Sequence, residues 1–75
     1  MLNNIKINEI LKSDQKLYTQ VIKHKNIELQ NAINKFDFDN NNNNYESVTK
    51  VASTIAKYEH QLEYITNMIK IINKN

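Results

Sequence analysis

The second half of the chain carries its most regular pattern of apolar residues. Between residues 48 and 72 apolar side chains recur at alternating steps of three and four residues, which is the spacing of a heptad seam along one side of an α-helix. The members of this seam are Val48, Val51, Ile55, Tyr58, Leu62, Ile65, Ile69 and Ile72. The pattern predicts a helix over about residues 45–73.

The residues at the two ends of this segment are typical of helix ends. Asn43 followed by Glu46 three residues later is a variant of the capping box, in which the two side chains bond free backbone N–H groups. Glu46 and Lys50 are spaced to form an ion pair one turn further on. Lys74 lies at the other end, where the helix dipole favours a cation. We therefore expect Asn43 to cap the second helix.

The first half is also periodic, and its apolar residues form a broader arc. At 100° per residue the arc covers on the order of 160°, which indicates contact with more than one neighbouring helix. Its members are Ile7, Ile10, Leu11, Leu17, Tyr18, Val21, Ile22, Leu29, Ala32, Ile33 and Phe36. The pattern predicts a helix over about residues 5–37, capped by Asn4 or Asn8. Ser13 and Asp14 offer a second start, so a kink or a short extra N-terminal helix stays open.

Two helices of similar length joined by a polar segment predict an all-α fold, an antiparallel two-helix hairpin in one domain spanning residues 1–75. The chain contains no glycine and no proline, which removes the strongest helix breakers. The connector is expected at residues 38–44 and includes five consecutive asparagines. Asparagine tolerates left-handed backbone conformations, so we expect it to reverse the chain here in place of glycine.

Two polar residues interrupt the first apolar arc, namely Asp14 and Lys25. One interpretation is that Lys25 extends its aliphatic stem along the apolar surface while Asp14 lies near a frayed helix start. The other is that both face a partner and fix its register. Tyr18 and Tyr58 are similarly open to two roles, as core residues or as amphipathic anchors at an interface.

The connector has a partial likeness to a calcium-binding loop. Asp37, Asp39 and Asn41 occupy the first, third and fifth positions of an EF-hand pattern. However, Asn42 stands where the sharp turn requires glycine, and Val48 stands where a bidentate glutamate is needed. We therefore interpret the segment as a polar connector without a metal.

No other part of the sequence indicates a chemical site. His24 and His60 lack a histidine partner at zinc-ligand spacing, and both are expected on the solvent-exposed surface. Cysteine is absent, and no glycine-rich loop is present to cradle a phosphate or to form an oxyanion hole. We predict no catalytic, cofactor-binding or metal-binding residues, and a protein that is not an enzyme.

Charge and hydropathy narrow the choice of partners. The formal net charge is +2 and all ten basic residues are lysines. Proteins that bind nucleic acid cluster their basic residues on one face. These lysines are spread along the chain, so nucleic acid is not the expected partner. No apolar run approaches the ~20 residues that span a bilayer, which predicts a cytoplasmic protein without membrane insertion. A domain this small buries little surface and has no disulfide, so assembly with another chain is the expected source of stability.

The whole layout resembles a known family, the small needle-subunit co-chaperones of bacterial type III secretion systems. An amphipathic N-terminal helix and a polar connector are followed by a helix that begins near an aromatic residue and continues into an Ala- and Ile-rich seam, here YESVTKVASTIAKYEHQLEYITNMIKIINKN. The resemblance implies a non-enzymatic cytosolic hairpin that docks on a larger, tetratricopeptide-like chaperone. Together the two would keep the needle subunit soluble before export.

The resemblance also implies which residues dock on the partner. These are Leu11, Tyr18, Ile22, Leu29, Ile65, Ile69 and Ile72. The asparagine run and the unusually regular second seam depart from the layout of the family and leave room for self-association. The alternative is therefore a homodimeric four-helix bundle with a structural or RNA-regulatory role.

Overall fold

Two long helices packed side by side form the described part of the protein. The structure, a computed structural model, describes residues 4–74. Helix α1 spans Asn4–Phe38 with 35 residues, and helix α2 spans Asn42–Lys74 with 33 residues. The helices run antiparallel in a particle of 54 × 18 × 15 Å, and residues 4–74 contain no strand. The prediction of an all-α antiparallel hairpin is confirmed.

Helix α1 is continuous through the point where the sequence offered a second start. Ser13 and Asp14 are both helical and exposed, so neither side chain interrupts the packing against α2. Because their neighbours are good helix formers and no proline or glycine intervenes, continuing the helix costs less than starting a new one. The described residues thus contain one long N-terminal helix and no short extra one.

The connector is shorter than predicted, because each helix extends into it. Among residues 4–74, only residues 39–41 lie outside the helices. The side-chain oxygen of Asn41 accepts the backbone N–H of Asn44 at 2.8 Å, and its carbonyl accepts the N–H of Tyr45 at 3.0 Å. These bonds make Asn41 the N-cap of α2. The prediction that Asn43 caps this helix is wrong, since the helix begins before that residue.

The ion pair expected in the first turns of α2 is also missing. Glu46 and Lys50 are both exposed, and within residues 4–74 they do not form an ion pair with each other. An exposed pair of this kind gains only a few tenths of a kcal/mol, which offsets little of the side-chain entropy lost in holding it.

The reversal of the chain is organised around Asp39. Its carbonyl accepts two hydrogen bonds, from the backbone N–H of Asn41 at 2.9 Å and from the side-chain amide of Asn44 at 2.8 Å. Its carboxylate accepts the side-chain amide of Asn41 at 3.1 Å. No described residue has a positive φ, so the expected left-handed asparagine is wrong. Side-chain amides bonded to the backbone direct the turn instead.

We expect the turn to be sensitive to single asparagines in a defined order. Asn41→Ala removes the cap and should lower the free energy of unfolding by about 1 kcal/mol. Asn44→Ala should cost about 1–2 kcal/mol, because Asn44 is only 8% exposed and bonds the Asp39 carbonyl. Asn43→Ala is the matched control and should change stability by less than about 0.5 kcal/mol. Urea denaturation of the three variants measures these differences, and an Asn43→Ala effect as large as that of Asn41→Ala would contradict this cap assignment.

The core between the helices is thin. Within residues 4–74, Ile55 and Ile65 are the apolar residues that are more than nine-tenths buried, at 6% and 3% exposure. The other six residues of the predicted seam are half-buried, so the seam itself is confirmed as the face of α2 that packs against α1. A hairpin of two helices has no third element to cover the outer half of each apolar stripe.

Aromatic contacts join the helices at two levels. The rings of Tyr18 and Tyr58 lie 5.8 Å apart and are tilted by 51°. Nearer the turn, the rings of Phe36 and Tyr45 lie 6.1 Å apart. Both geometries are within the range of favourable edge-to-face contacts. The two central tyrosines therefore pack against each other inside the hairpin.

One side of the hairpin is joined by polar contacts. The side-chain amide of Gln15 donates to the Thr66 hydroxyl at 3.1 Å, and the Asn8 amide donates to the Asn73 side-chain oxygen at 2.7 Å. Asn8 and Gln15 are seven residues apart, as are Thr66 and Asn73, so each pair lies on one row of its helix. We call this surface the polar side.

Candidate protein-docking surface

Many of the large apolar side chains of the protein face solvent. Within residues 4–74, eight large apolar side chains are 44% exposed or more, whereas two apolar side chains are more than nine-tenths buried. They are Ile5, Ile10, Leu17, Ile27, Phe38, Tyr45, Tyr64 and Ile71. Single exposed apolar residues are ordinary, so the question is whether some of these lie together.

Three of them lie on one side of the hairpin. On α1, Ile10 and Leu17 are seven residues apart and lie in one row with the half-buried Val21. On α2, Tyr64 begins a row at four-residue spacing that continues with two half-buried residues. The six residues that define this surface, which we call the apolar side, are Ile10, Leu17, Val21, Tyr64, Met68 and Ile72.

The apolar side lies opposite the polar side. At 100° per residue, Leu17 is about 160° away from Gln15 and about 180° away from Asn8 around α1. A groove between the helices continues the apolar-side rows toward the turn. Its lining residues are Lys25, Glu28 and Ala32 from α1 and Ser47, Lys50, Val51 and Thr54 from α2. The groove and the apolar side therefore lie on the same side of the hairpin. The groove is nearer the turn, and the apolar side is nearer the other end.

The apolar side carries few charges, which are Asp14, Lys25 and Glu28 on α1 and Lys57 on α2. Asp14 lies between Ile10 and Leu17 and is exposed. Lys25 lies one turn beyond Val21, and its ammonium group is 3.0 Å from a carboxylate oxygen of Glu28. The two side chains of that pair are 34% and 54% exposed. Such a pair contributes little to stability. Lys25 lies at the edge of the apolar side, where a protein that docks there would meet it.

The residues that the sequence analysis assigned to docking lie mostly between the two helices. Leu11, Tyr18, Ile22 and Leu29 are half-buried on the face of α1 that packs against α2, and Ile69 and Ile72 are half-buried on α2. Ile65 is 3% exposed, so it has no surface to offer while the hairpin is closed. In the closed hairpin Ile65 packs against the neighbouring helix, and its assignment to docking stays a prediction.

Sequence reasoning overlooked the residues that do face outward. Leu17, Ile10 and Val21 belonged to the broad apolar arc but were not singled out, and Tyr64 and Met68 lay outside the heptad seam. The signal was present in the width of the arc. A stripe too broad for one neighbour must expose its edge when only one neighbour exists, and Ile10 and Leu17 form that edge.

The tip of the hairpin exposes a second apolar feature. Phe38 is 95% exposed at the last position of α1. It lies between Asp37 and Asp39 and close in sequence to Tyr45, which is 57% exposed. The helix therefore ends on an aromatic residue with acidic neighbours, separated from the apolar side by the length of the groove.

The side chains that the sequence offered as metal ligands do not come together among the described residues. No three His, Cys, Asp or Glu side chains within residues 4–74 lie close enough together to hold a metal ion. In the segment compared with a calcium loop, Asp37 lies in α1, Asp39 is held by Asn41, and Val48 packs in the seam. His24 and His60 are exposed, as expected.

Neither helix has a stretch, within the described residues, that is long and apolar enough to cross a membrane.

Comparison of the chain with protein-family models, with characterised proteins and with solved structures finds no match. The likeness to type III secretion co-chaperones therefore stays a prediction from the layout of the chain.

Proposed function

We propose that the protein is a non-enzymatic protein-binding module that uses its apolar side to dock on helices of a larger partner. The observation that carries this proposal is the amount of surface left open. The chain exposes 6045 Å² for a mass of 8.9 kDa, whereas a compact monomer of that mass exposes about 4,800 Å². The excess of about 1,200 Å² is larger than the ~800 Å² that each partner buries in a stable complex.

The position of the exposed residues supports docking against helices. Ile10 and Leu17 at seven-residue spacing, with Tyr64 on the neighbouring helix, form two parallel ridges. Ridges of this kind pack into the grooves of a further helix or helix pair. A partner that adds helices here converts a two-helix hairpin into a bundle with a complete core.

The narrower form of this proposal is a type III secretion co-chaperone. The hairpin would dock on a tetratricopeptide-like chaperone, and the two would keep a needle subunit soluble before export. The similar layout of the chain supports this form. A stack of helix pairs, such as a tetratricopeptide repeat forms, presents the concave helical surface that the two ridges fit.

Leu17→Glu is expected to abolish docking while leaving the hairpin folded. Leu17 is 57% exposed, so the substitution removes little of the core, but it places a carboxylate within the proposed contact, where desolvation is costly. We expect at least a tenfold loss of partner capture. The measurement is affinity capture from cells that co-express the tagged hairpin with a tetratricopeptide-like chaperone and a needle subunit, quantified by mass spectrometry.

Gln20→Glu is the matched control because it adds the same charge on the outward surface of α1, where Gln20 is exposed. It should capture the partner as well as the unaltered chain does. Equal capture by the Leu17→Glu variant would overturn the docking surface. The absence of any stoichiometric helical partner for the unaltered chain would overturn the proposed function itself.

A further inference from the structure

The α1 row of the apolar side has a charge pattern that matches a second copy of itself. The row reads Ile10, Asp14, Leu17, Val21, Lys25, Glu28; it is acidic at Asp14 and basic at Lys25, and the carboxylate of Glu28 beyond them is already bonded by Lys25. An antiparallel copy of such a row brings acid opposite base at both ends, and apolar residues opposite each other in the middle. A two-fold axis midway between Asp14 and Lys25 produces this pairing.

We propose that in the absence of another partner a second copy of this chain covers the apolar side, with the two α1 helices antiparallel. In this dimer Asp14 of each copy lies opposite Lys25 of the other, and Leu17 packs against Val21. The inference rests on the proposed function in that it uses the same apolar side. It adds the identity of one occupant and the register in which that occupant binds.

The ion pairs available in the single hairpin leave this contact open. Within the described residues Asp14 forms no ion pair, and it is exposed. Lys25 bonds Glu28 at 3.0 Å yet keeps a third of its side chain exposed, and an ammonium group has three donors. The ammonium group of Lys25 can therefore donate to a carboxylate of the other copy while it still bonds Glu28.

The register set by the charges also overlays the two hairpins almost completely. A point midway between Asp14 and Lys25 lies within two residues of the midpoint of the helix Asn4–Phe38. Antiparallel pairing about that point overlaps nearly the whole length of both helices. On α2 the axis passes close to Gln61, so that Lys57 of one copy lies near Tyr64 of the other, a favourable pairing of a cation with an aromatic ring.

The size of the surface agrees with a stable dimer. The broad face of the hairpin measures 54 by 18 Å, which is of the order of the ~800 Å² per partner found in stable interfaces. All neighbouring helices in the resulting four-helix bundle are antiparallel, the arrangement in which short-looped bundles pack.

Charge reversal tests the proposed register. Sedimentation equilibrium on the purified chain should show a monomer–dimer equilibrium. Asp14→Lys and Lys25→Asp should each weaken the dimer about tenfold, because each creates two like-charge contacts per dimer. The double variant restores opposite charges at both contacts and should return to within about threefold of the unaltered dimerisation constant.

A matched pair on the outward surface of α1 serves as the control. Glu9→Lys and Lys16→Glu change the net charge by the same amounts at exposed positions far from the row, and should leave the dimerisation constant unchanged. Circular dichroism identifies any variant that loses helix, and the comparison then uses Asp14→Asn and Lys25→Gln, for which a smaller weakening of about threefold is expected.

Two results would overturn this inference. One is a chain that stays monomeric up to about 1 mM, and the other is a double variant that dimerises no better than the single ones. Neither result touches the proposed function, which Leu17→Glu tests through capture of a different protein. Conversely, a dimer that follows the charge-swap pattern while no other protein is captured would support the inference and overturn the proposed function.

Discussion

Ile65→Ala is expected to lower the free energy of unfolding by about 2–4 kcal/mol, the range found when a buried Ile or Leu is cut back to Ala. Ile65 is the most buried apolar residue described, at 3% exposure. A domain of this size has a total stability of only about 4–11 kcal/mol. Urea denaturation followed by circular dichroism measures the change, at one fixed protein concentration because self-association alters the apparent stability.

Ile27→Ala provides the control for this prediction. Ile27 is 56% exposed on α1, so the same chemical change removes little buried surface there and should cost less than about 0.5 kcal/mol. If Ile65→Ala proves no more destabilising than Ile27→Ala, the helices do not pack along the heptad seam as described.

Removing either central tyrosine ring should have the second largest effect. Tyr18→Ala and Tyr58→Ala each delete a half-buried ring that packs against the other at 5.8 Å, and each should cost about 2–3 kcal/mol. The double variant should cost less than the sum of the two by about 0.5–1.5 kcal/mol, since the ring contact is lost only once. Urea denaturation of the four members of this cycle measures the coupling.

Tyr18→Phe separates the ring from its hydroxyl group. It keeps the aromatic packing, and its free energy of unfolding should stay within about 0.5 kcal/mol of that of the unaltered chain. Strictly additive effects in the tyrosine cycle would mean that the two rings contribute through burial alone, without a specific contact between them.

The thin core and the open apolar side have the same origin. Two helices can cover only the facing part of each other's apolar surface, so a broad stripe on α1 leaves an edge in water. Ile10 and Leu17 form that edge. The residues that the hairpin cannot bury are thus those available to a partner. Because a partner binds the folded hairpin and not the unfolded chain, we expect assembly to raise the free energy of unfolding.

The turn shows where sequence reasoning was least accurate. Five consecutive asparagines offer the same residue type at successive positions, so propensity alone does not distinguish the cap from its neighbours. Asn41 caps the helix because Asp39 fixes its side chain, and Asn44 is buried because it reaches the Asp39 carbonyl. Which asparagine caps the helix and which is buried depend on how the two helices meet across the three-residue link. The local sequence pattern does not specify that geometry.

The sequence by itself determined the two helices, their antiparallel pairing and the seam from Val48 to Ile72, because a 3.6-residue repeat of apolar side chains and the absence of glycine and proline act locally. Tertiary structure decided which apolar residues face inward and which face outward. Leu11 and Leu17 look alike in the sequence, but Leu11 is half-buried against α2 whereas Leu17 is 57% exposed. The rotation of each helix about its axis sets that difference, and only the contact between the two helices fixes the rotation.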